Sequence, residues 1–397
     1  MTISPSTPRA ATVALSIALV SLGVSIAAPA ANASSSARAL RVTQILAGSS
    51  LHHSYTPKSS STSKVETLSN PDDVSVGGQD LFVGFQNGVG PQGEASSDGN
   101  LDSTVVEITL SGRVVGQWDV VGKADGVTAD PALDGVIVTV NEDNNSALYL
   151  IKTSGVSAAN AVTRYAYSEV LAHGGGTDAI SISNGRILIS ASAPGTTSNP
   201  APQPTYPAVY EVSLDAATKI ANVTPLFDDE AQATVANTNG ATTGQATRLA
   251  LTDPDSNGVV PSYAQRFGGD FMLTSQGDKQ QLFVSAAGTT HQQLSVLNLS
   301  QAVDDTAWPS SRSGRLYATD STNDAVDVVT GSFQVGAPVA VVTPCGANGA
   351  PATCPGPGFS NNYLASINPN TGVVTAVTVK GATFVAQGGL AFVGGHR

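Results

Sequence analysis

The chain has 397 residues, only 12% of them charged, with 18 Lys and Arg against 30 Asp and Glu and a formal net charge of −12. Such a surface repels phosphate backbones and anionic lipid, so nucleic acid is excluded as a partner and cations or basic ligands are favoured. Past the N-terminus there is no apolar run of 18 residues, so membrane insertion is not expected either.

In chain order, residues 1–33 read as a secretory signal peptide. Arg9 precedes a run of small and apolar residues, and the segment ends in Ala31-Asn32-Ala33, the small-x-small pattern at a cleavage site. The mature protein is then extracellular or periplasmic. Residues 34–63 predict an N-terminal strand (ALRVTQIL) followed by a mobile arm that carries His52 and His53. From residue 64 to 397 the chain shows short apolar runs with period-two alternation, bounded by Gly, Asn, Asp and Pro, with no linker-like gap. That pattern predicts one all-β domain.

The runs fall into units. DDVSV, DLFVGF, TVVEITL and VVGQWDVV form the first, and DGVTA, GVIVTV, ALYLIKT and TRYAYS the second. DAISI, RILISA, VYEVSL and ANVTPLF form the third. Asp72, Asp125 and Asp178 open them at equal intervals of 53 residues. Four strands in a repeat near this length are the mark of a β-propeller blade. An insertion at about 228–266 follows; a fourth unit opens at Asp270 with DFMLTS and continues with QLFVSA and LSVLNL. A fifth opens near Asp305 and takes RLYATD, AVDVV and PVAVV. In the last, NYLASINP and VVTAVTV supply outer strands and AQGGLAFVG an inner one, with RVTQIL free to pair in the same sheet. Sharing a blade between the two termini closes the ring and leaves no open sheet edge there. The expected fold is an all-β propeller of six four-stranded blades, or seven if the insertion hides one. A lone blade cannot bury both faces, whereas a ring of blades buries each against its neighbours.

The recurring opening, Pro or Thr, then Asp, a small residue and a β-branched one, followed by a turn and LFV or ILI, resembles the inner-strand signature of the NHL and gluconolactonase-like propellers. The resemblance covers most of the mature chain and implies a six-bladed ring. Lactonases of that group hold a divalent metal through an acidic residue near the first strand and Asn and Asp at later inner-strand ends. Their Glu-Gly-Pro opening and Pro-Asn-Gly segment are absent here, and Glu66 stands upstream of the first blade without that context, so no metal ligands are carried over.

Several residues are candidates for a site. Asp72, Asp125, Asp178 and Asp270, with Asp305, would form a partial acidic ring at the channel rim. Either each accepts N–H groups of its turn and locks one blade to the next, or together they hold a cation or basic ligand. His173 precedes three glycines and leads into Asp178, which brings an imidazole to the channel mouth; the glycines equally permit a tight inter-blade turn. In LTDPDSNGVVP, Asp253, Asp255 and Asn257 alternate ahead of Gly258, the spacing of a calcium loop. The twelfth position is Ala264 where an EF-hand needs Glu, which leaves a smaller calcium loop or a plain Asx turn. NEDNNS, residues 141–146, predicts a polar hairpin toward the channel. Cys345 and Cys354 enclose a Gly/Pro/Ala loop, read in an exported chain as a local disulfide worth about 2–3 kcal/mol. There is no GxSxG, HExxH, phosphate loop or dinucleotide fingerprint. The expected function is that of a monomeric binding protein or scaffold recognising a small ligand or protein partner at the channel face. The alternative is a hydrolase or lactonase with calcium in the channel as Lewis acid.

Overall fold

The structure, a computed structural model, describes residues 39–58, 60–171, 175–192, 205–342, 362–381, 384, 386 and 388–395. Where the sequence alternates, strands form. Where it runs continuously apolar, the strands are covered on both faces. β1 (Leu40–Ala47) is followed by a hairpin of β2 (His52–Tyr55) and β3 (Lys64–Thr67). The first blade is the meander β4 (Pro71–Gly77), β5 (Asp80–Phe85), β6 (Asp102–Thr109) and β7 (Val114–Val121). All of β5 after Asp80 is buried, because the second strand of a blade lies between two neighbouring sheets, whereas the outermost β7 is mostly exposed or half-buried. The second blade is β8 (Ala124–Asp130), β9 (Gly135–Val140), β10 (Ala147–Lys152) and β11 (Val162–Tyr167). The third is β12 (Ile180–Ser183), β13 (Arg186–Ser190), β14 (Pro207–Asp215) and β15 (Ile220–Asp228). The outermost strands β11 and β15 also pair with each other in parallel.

The fourth blade departs from expectation. β16 (Gln232–Val235), β17 (Ala246–Arg248) and β18 (Pro254–Val259) lie in the stretch assigned to an insertion, 228–266. They join β19 (Phe271–Ser275), β20 (Gln280–Ser285) and β21 (Gln293–Asn298) in the order β17-β16-β21-β20-β19-β18. The supposed insertion therefore contributes the inner strand. β18 reads PDSNGV, with no apolar run, since its side chains serve the channel and neighbouring carbonyls instead of the core. DFMLTS is consequently a second strand, and Asp270 lies in the turn before it, at the end of the blade away from Pro254.

The last two blades exchange strands. β22 (Val303–Ala307) opens the fifth, then β23 (Arg315–Asp320) and β24 (Ala325–Thr330) cross to the sixth. β25 (Val339–Val342), β26 (Tyr363–Ile367) and β27 (Val374–Ala376) return to β22, and β28 (Val379–Gly381) and β29 (Leu390–Val393) complete the sixth in the order β28-β1-β24-β23-β29. RLYATD and AVDVV thus belong to the sixth blade, not the fifth, and NYLASI to the fifth. Period two states that a run is a strand, not which sheet it enters. The termini share one blade, as expected, and the inner strands β4, β8, β12, β18, β22 and β29 touch in a closed cycle. The blade count is six.

Apolar clusters fill the spaces between adjacent blades: Leu188, Val209, Leu273 and Leu282 join the third to the fourth, and Val83, Val106, Tyr317 and Val328 the first to the sixth. The segment 48–63, expected as a mobile arm, instead contains half of the β2–β3 hairpin, with His53 and Tyr55 on its buried face. His53 Nε2 lies 2.9 Å from Glu66 Oε1 and its Nδ1 3.4 Å from Asp119 Oδ1 on β7, which pins the hairpin to the first blade. The Ser/Thr-rich turn between the strands masks them in the sequence.

Candidate acidic channel

The site is built by one local irregularity repeated around the ring. The ladder of the inner strand slips between Pro71 and Val74, Ala124 and Val127, Pro254 and Asn257, and Val303 and Thr306. Each slip is a β-bulge, in which two residues face one across the ladder and re-aim their side chains. The pairs are Asp72-Asp73, Asp125-Gly126, Asp255-Ser256 and Asp304-Asp305, and Asp178-Ala179 holds the same place ahead of β12. The first residue of each pair, Asp72, Asp125, Asp178, Asp255 or Asp304, lines the axial channel.

The sixth blade has Gly388-Gly389 at this place. Gly388 has φ +67°, a left-handed conformation, and a Cβ there would lie 2.5 Å from the Asp72 carbonyl oxygen and 2.9 Å from its carboxylate. A side chain would collide with the ring, so the circle of carboxylates has one gap.

The second residue of each pair has another job. Asp73 accepts from Val74 N at 2.7 Å and, in the next blade, from Val127 N at 2.6 Å. Asp305 likewise accepts from Thr306 N and, in the sixth blade, from Leu390 N, both at 2.6 Å. Hydroxyls do the same elsewhere: Thr139 donates to the Asp178 carbonyl (2.6 Å), Ser190 to that of Asp255 (2.6 Å), Ser256 to that of Asp304 (2.7 Å) and Thr319 to that of Asp72 (2.5 Å). These bonds fix the backbone under the ring. The blade-locking reading of the recurrent aspartates therefore fits the second residue of the bulge, Asp73 or Asp305, while Asp72, Asp125 and Asp178 are turned to the channel.

The cavity is about 670 Å³, and among the described residues lining it ten are acidic against one basic, Lys123. Lys123 Nζ is 3.1 Å from Asp125 Oδ1 and also pairs with Glu142, in the hairpin between β9 and β10. Gln86 Nε2 donates to Asp125 Oδ1 at 3.2 Å, while Asp125 Oδ2, on a residue 3% exposed, has no partner. Burial pushes Asp305 up to about 6 against two backbone N–H donors, and Asp72 to about 6 with Lys123 opposing and Glu142 and Asp305 adding; burial and neighbouring carboxylates push Asp125, Asp178, Asp255 and Asp304 well above the usual range. For Lys123 burial opposes the charge, but Asp125, Glu142 and Asp72 outweigh it and hold the ammonium charged.

The residues read as a calcium loop are stations on or just before β18. Asp255 joins the ring, Asp253 accepts from Gly277 N at 3.0 Å, and Asn257 Nδ2 donates to the Ala179 carbonyl of the third blade at 2.7 Å. Among the described residues no three His, Cys, Asp or Glu are grouped so that they could hold one metal ion. Asp270 is at the opposite end and does not line the channel. Glu66 pairs with His53 and Asn100, away from the channel. His173, Cys345 and Cys354 lie outside the described residues. Asp73, one place after Asp72, Asp304, one before Asp305, and Lys123, two before Asp125, escaped the sequence reading, whereas Glu142 lies in the hairpin expected toward the channel.

Fold and site define a class: a six-bladed β-propeller with an acidic axial channel. No family model matches the chain, and no curated protein matches it. Among solved structures it is similar to the periplasmic gluconolactonase PpgL of Pseudomonas aeruginosa, at 13% identity over 90% of this chain and 99% of that one, TM-score 0.41. It is also similar to an auxiliary nutrient binding protein from Bacteroides ovatus (12% identity, 75% and 78% covered, TM-score 0.33) and to BamB from Moraxella catarrhalis (13%, 73% and 93%, TM-score 0.27). Likeness at this level bears on none of their activities. Among the described residues no helix is long and apolar enough to cross a membrane.

Proposed function

We propose that the chain is an exported, monomeric binding protein, a divergent relative of the NHL and gluconolactonase-like propellers. Its channel takes up a positively charged small ligand or a cationic side chain of a protein partner. One observation carries the reading: five aspartates from five blades face one channel that holds a single ammonium, and a buried oxygen of Asp125 is left without a partner. Carboxylates crowded away from bulk water repel one another, and a bound cation relieves that cost. Because the carboxylates are spread round the ring, an organic cation with several charges matches them better than one metal ion.

Calorimetric titration with spermidine tests this. Saturable binding is expected, weakened at least about tenfold by the double substitution Asp178→Asn, Asp255→Asn, equivalent to about 1.4 kcal/mol. No heat from spermidine would sink the reading. A tightly held divalent ion in the purified protein, together with hydrolysis of a lactone, would favour the calcium-dependent hydrolase in its place.

A further inference from the structure

At the end of the sixth blade away from the acidic ring, cations stand in a row. Arg41 on β1 lies opposite Thr330 on β24, and Thr330 lies opposite Arg315 on β23. On the other side of β1, Lys380 of β28 sits beside Arg41. Residues paired across a ladder leave the sheet on the same face, so the three cations project together, with Arg315 and Arg41 two strand spacings, about 10 Å, apart. Arg315 pairs with Val393, the last residue of β29, whereas the ring lies beyond Leu390 at the strand's other end.

Like charges on neighbouring strands cost stability unless something answers them. Here nothing among the described residues does. Among the described residues, Arg41, Arg315 and Lys380 are exposed and make no salt bridge and no side-chain hydrogen bond. Three unanswered cations in line are unexpected in a chain of net charge −12.

Arg41, Thr330 and Arg315 also line a cavity of about 750 Å³ together with Leu110 of the first blade and the backbone of Gly394 and Gly395, and among the described residues no acid stands in its wall. Its inner end is rigid: Tyr317, two residues along the same face of β23 from Arg315, is fully buried and donates its hydroxyl to the Leu110 carbonyl at 2.9 Å. Ser313, Gly314 and Gly331 complete the wall.

We infer that this cavity binds a multiply charged anion carrying phosphate or carboxylate groups, held between the guanidiniums of Arg41 and Arg315. The Thr330 hydroxyl donates from the middle of the row and Lys380 extends it. Planar guanidiniums form forked, charge-assisted hydrogen bonds to either group, and spacing them across two strands selects an anion with more than one charge.

Calorimetric titration of the mature protein with inorganic pyrophosphate and, separately, with citrate, at fixed ionic strength, tests the site. At least one anion is expected to bind saturably. The double substitution Arg41→Gln, Arg315→Gln should weaken that binding at least about tenfold. Arg315→Lys, which keeps the charge and loses the fork, should weaken it less, and Lys58→Gln, a charge removed elsewhere, should leave it within twofold. Binding of pyrophosphate alone assigns a phosphate-bearing ligand, and of citrate alone a carboxylate. Absence of heat from both, or equal binding by the double variant with an unchanged melting temperature, overturns the inference.

Discussion

Asp125 shows how much one carboxylate can depend on its neighbour. One oxygen takes Lys123 and Gln86 and the other takes nothing, in a side chain closed off from solvent. Breaking a buried ion pair leaves an uncompensated charge, which costs more than the pair itself contributes. Lys123→Met should therefore destabilise the protein by about 3–5 kcal/mol at pH 7.5. The loss should be smaller at pH 5 than at pH 7.5, because burial raises the Asp125 carboxyl well above the ordinary range and acid favours its neutral form. Urea unfolding at the two pH values measures both, and an equal loss at each would show that the charge on Asp125 is not what Lys123 answers. The ring residues were unevenly legible. Asp72, Asp125 and Asp178 declare themselves by equal spacing, whereas Asp255 is hidden in a polar strand that reads as a turn. Lys123 and Glu142 are hidden because their meeting crosses a strand pair, and no local pattern records it.

The β2–β3 hairpin is the element most exposed to pH. His53 is buried between Glu66 and Asp119. Burial works against its charge, but hydrogen bonds and Coulomb attraction from Asp119 and Glu66 prevail and raise its pKa above 6.5. A histidine raised in the folded state contributes stability that is complete below its unfolded pKa and is lost as pH rises through the folded value. Hydrogen exchange of the amides of residues 52–55 should therefore accelerate relative to the intrinsic rate above neutral pH. In His53→Gln the protection should be weaker and indifferent to pH between 6 and 8. Equal pH dependence in both proteins would discard the imidazole as the latch. In sequence, this hairpin is a Ser/Thr-rich arm with two histidines. Its order comes from partners on β7, some sixty-five residues on, which local composition cannot announce.

For the whole molecule, the ring of acids makes a global prediction. Groups whose carboxyl pKa is raised on folding bind more protons in the folded state than in the unfolded one. The folded protein is thus favoured below about pH 4 and loses that advantage as pH rises through about 6 for Asp72 and Asp305, and the other ring members, raised well above the usual range, act in the same direction. His53 acts in the same direction. Calorimetry should show the melting temperature falling by about 5 °C or more from pH 5 to pH 8. Spermidine should restore much of the loss at pH 8 and less at pH 5, where protons compete for the ring. A melting temperature that rises over this range would show that the carboxylates are compensated within the chain.

The amino-acid sequence by itself determined the fold class, the repeat and the pairing of the two termini in one blade, and left six blades against seven for the tertiary structure to decide. Each of these follows from side-chain alternation and turn residues, which act within a few positions. Only the tertiary structure decided which sheet each late strand enters, that a polar segment is an inner strand, and which acids converge. Those outcomes depend on who lies beside whom after the ring closes: a bulge aims Asp255 inward only once β19 is its neighbour, and Gly388 must lack a side chain only because Asp72 arrives from the other end of the chain.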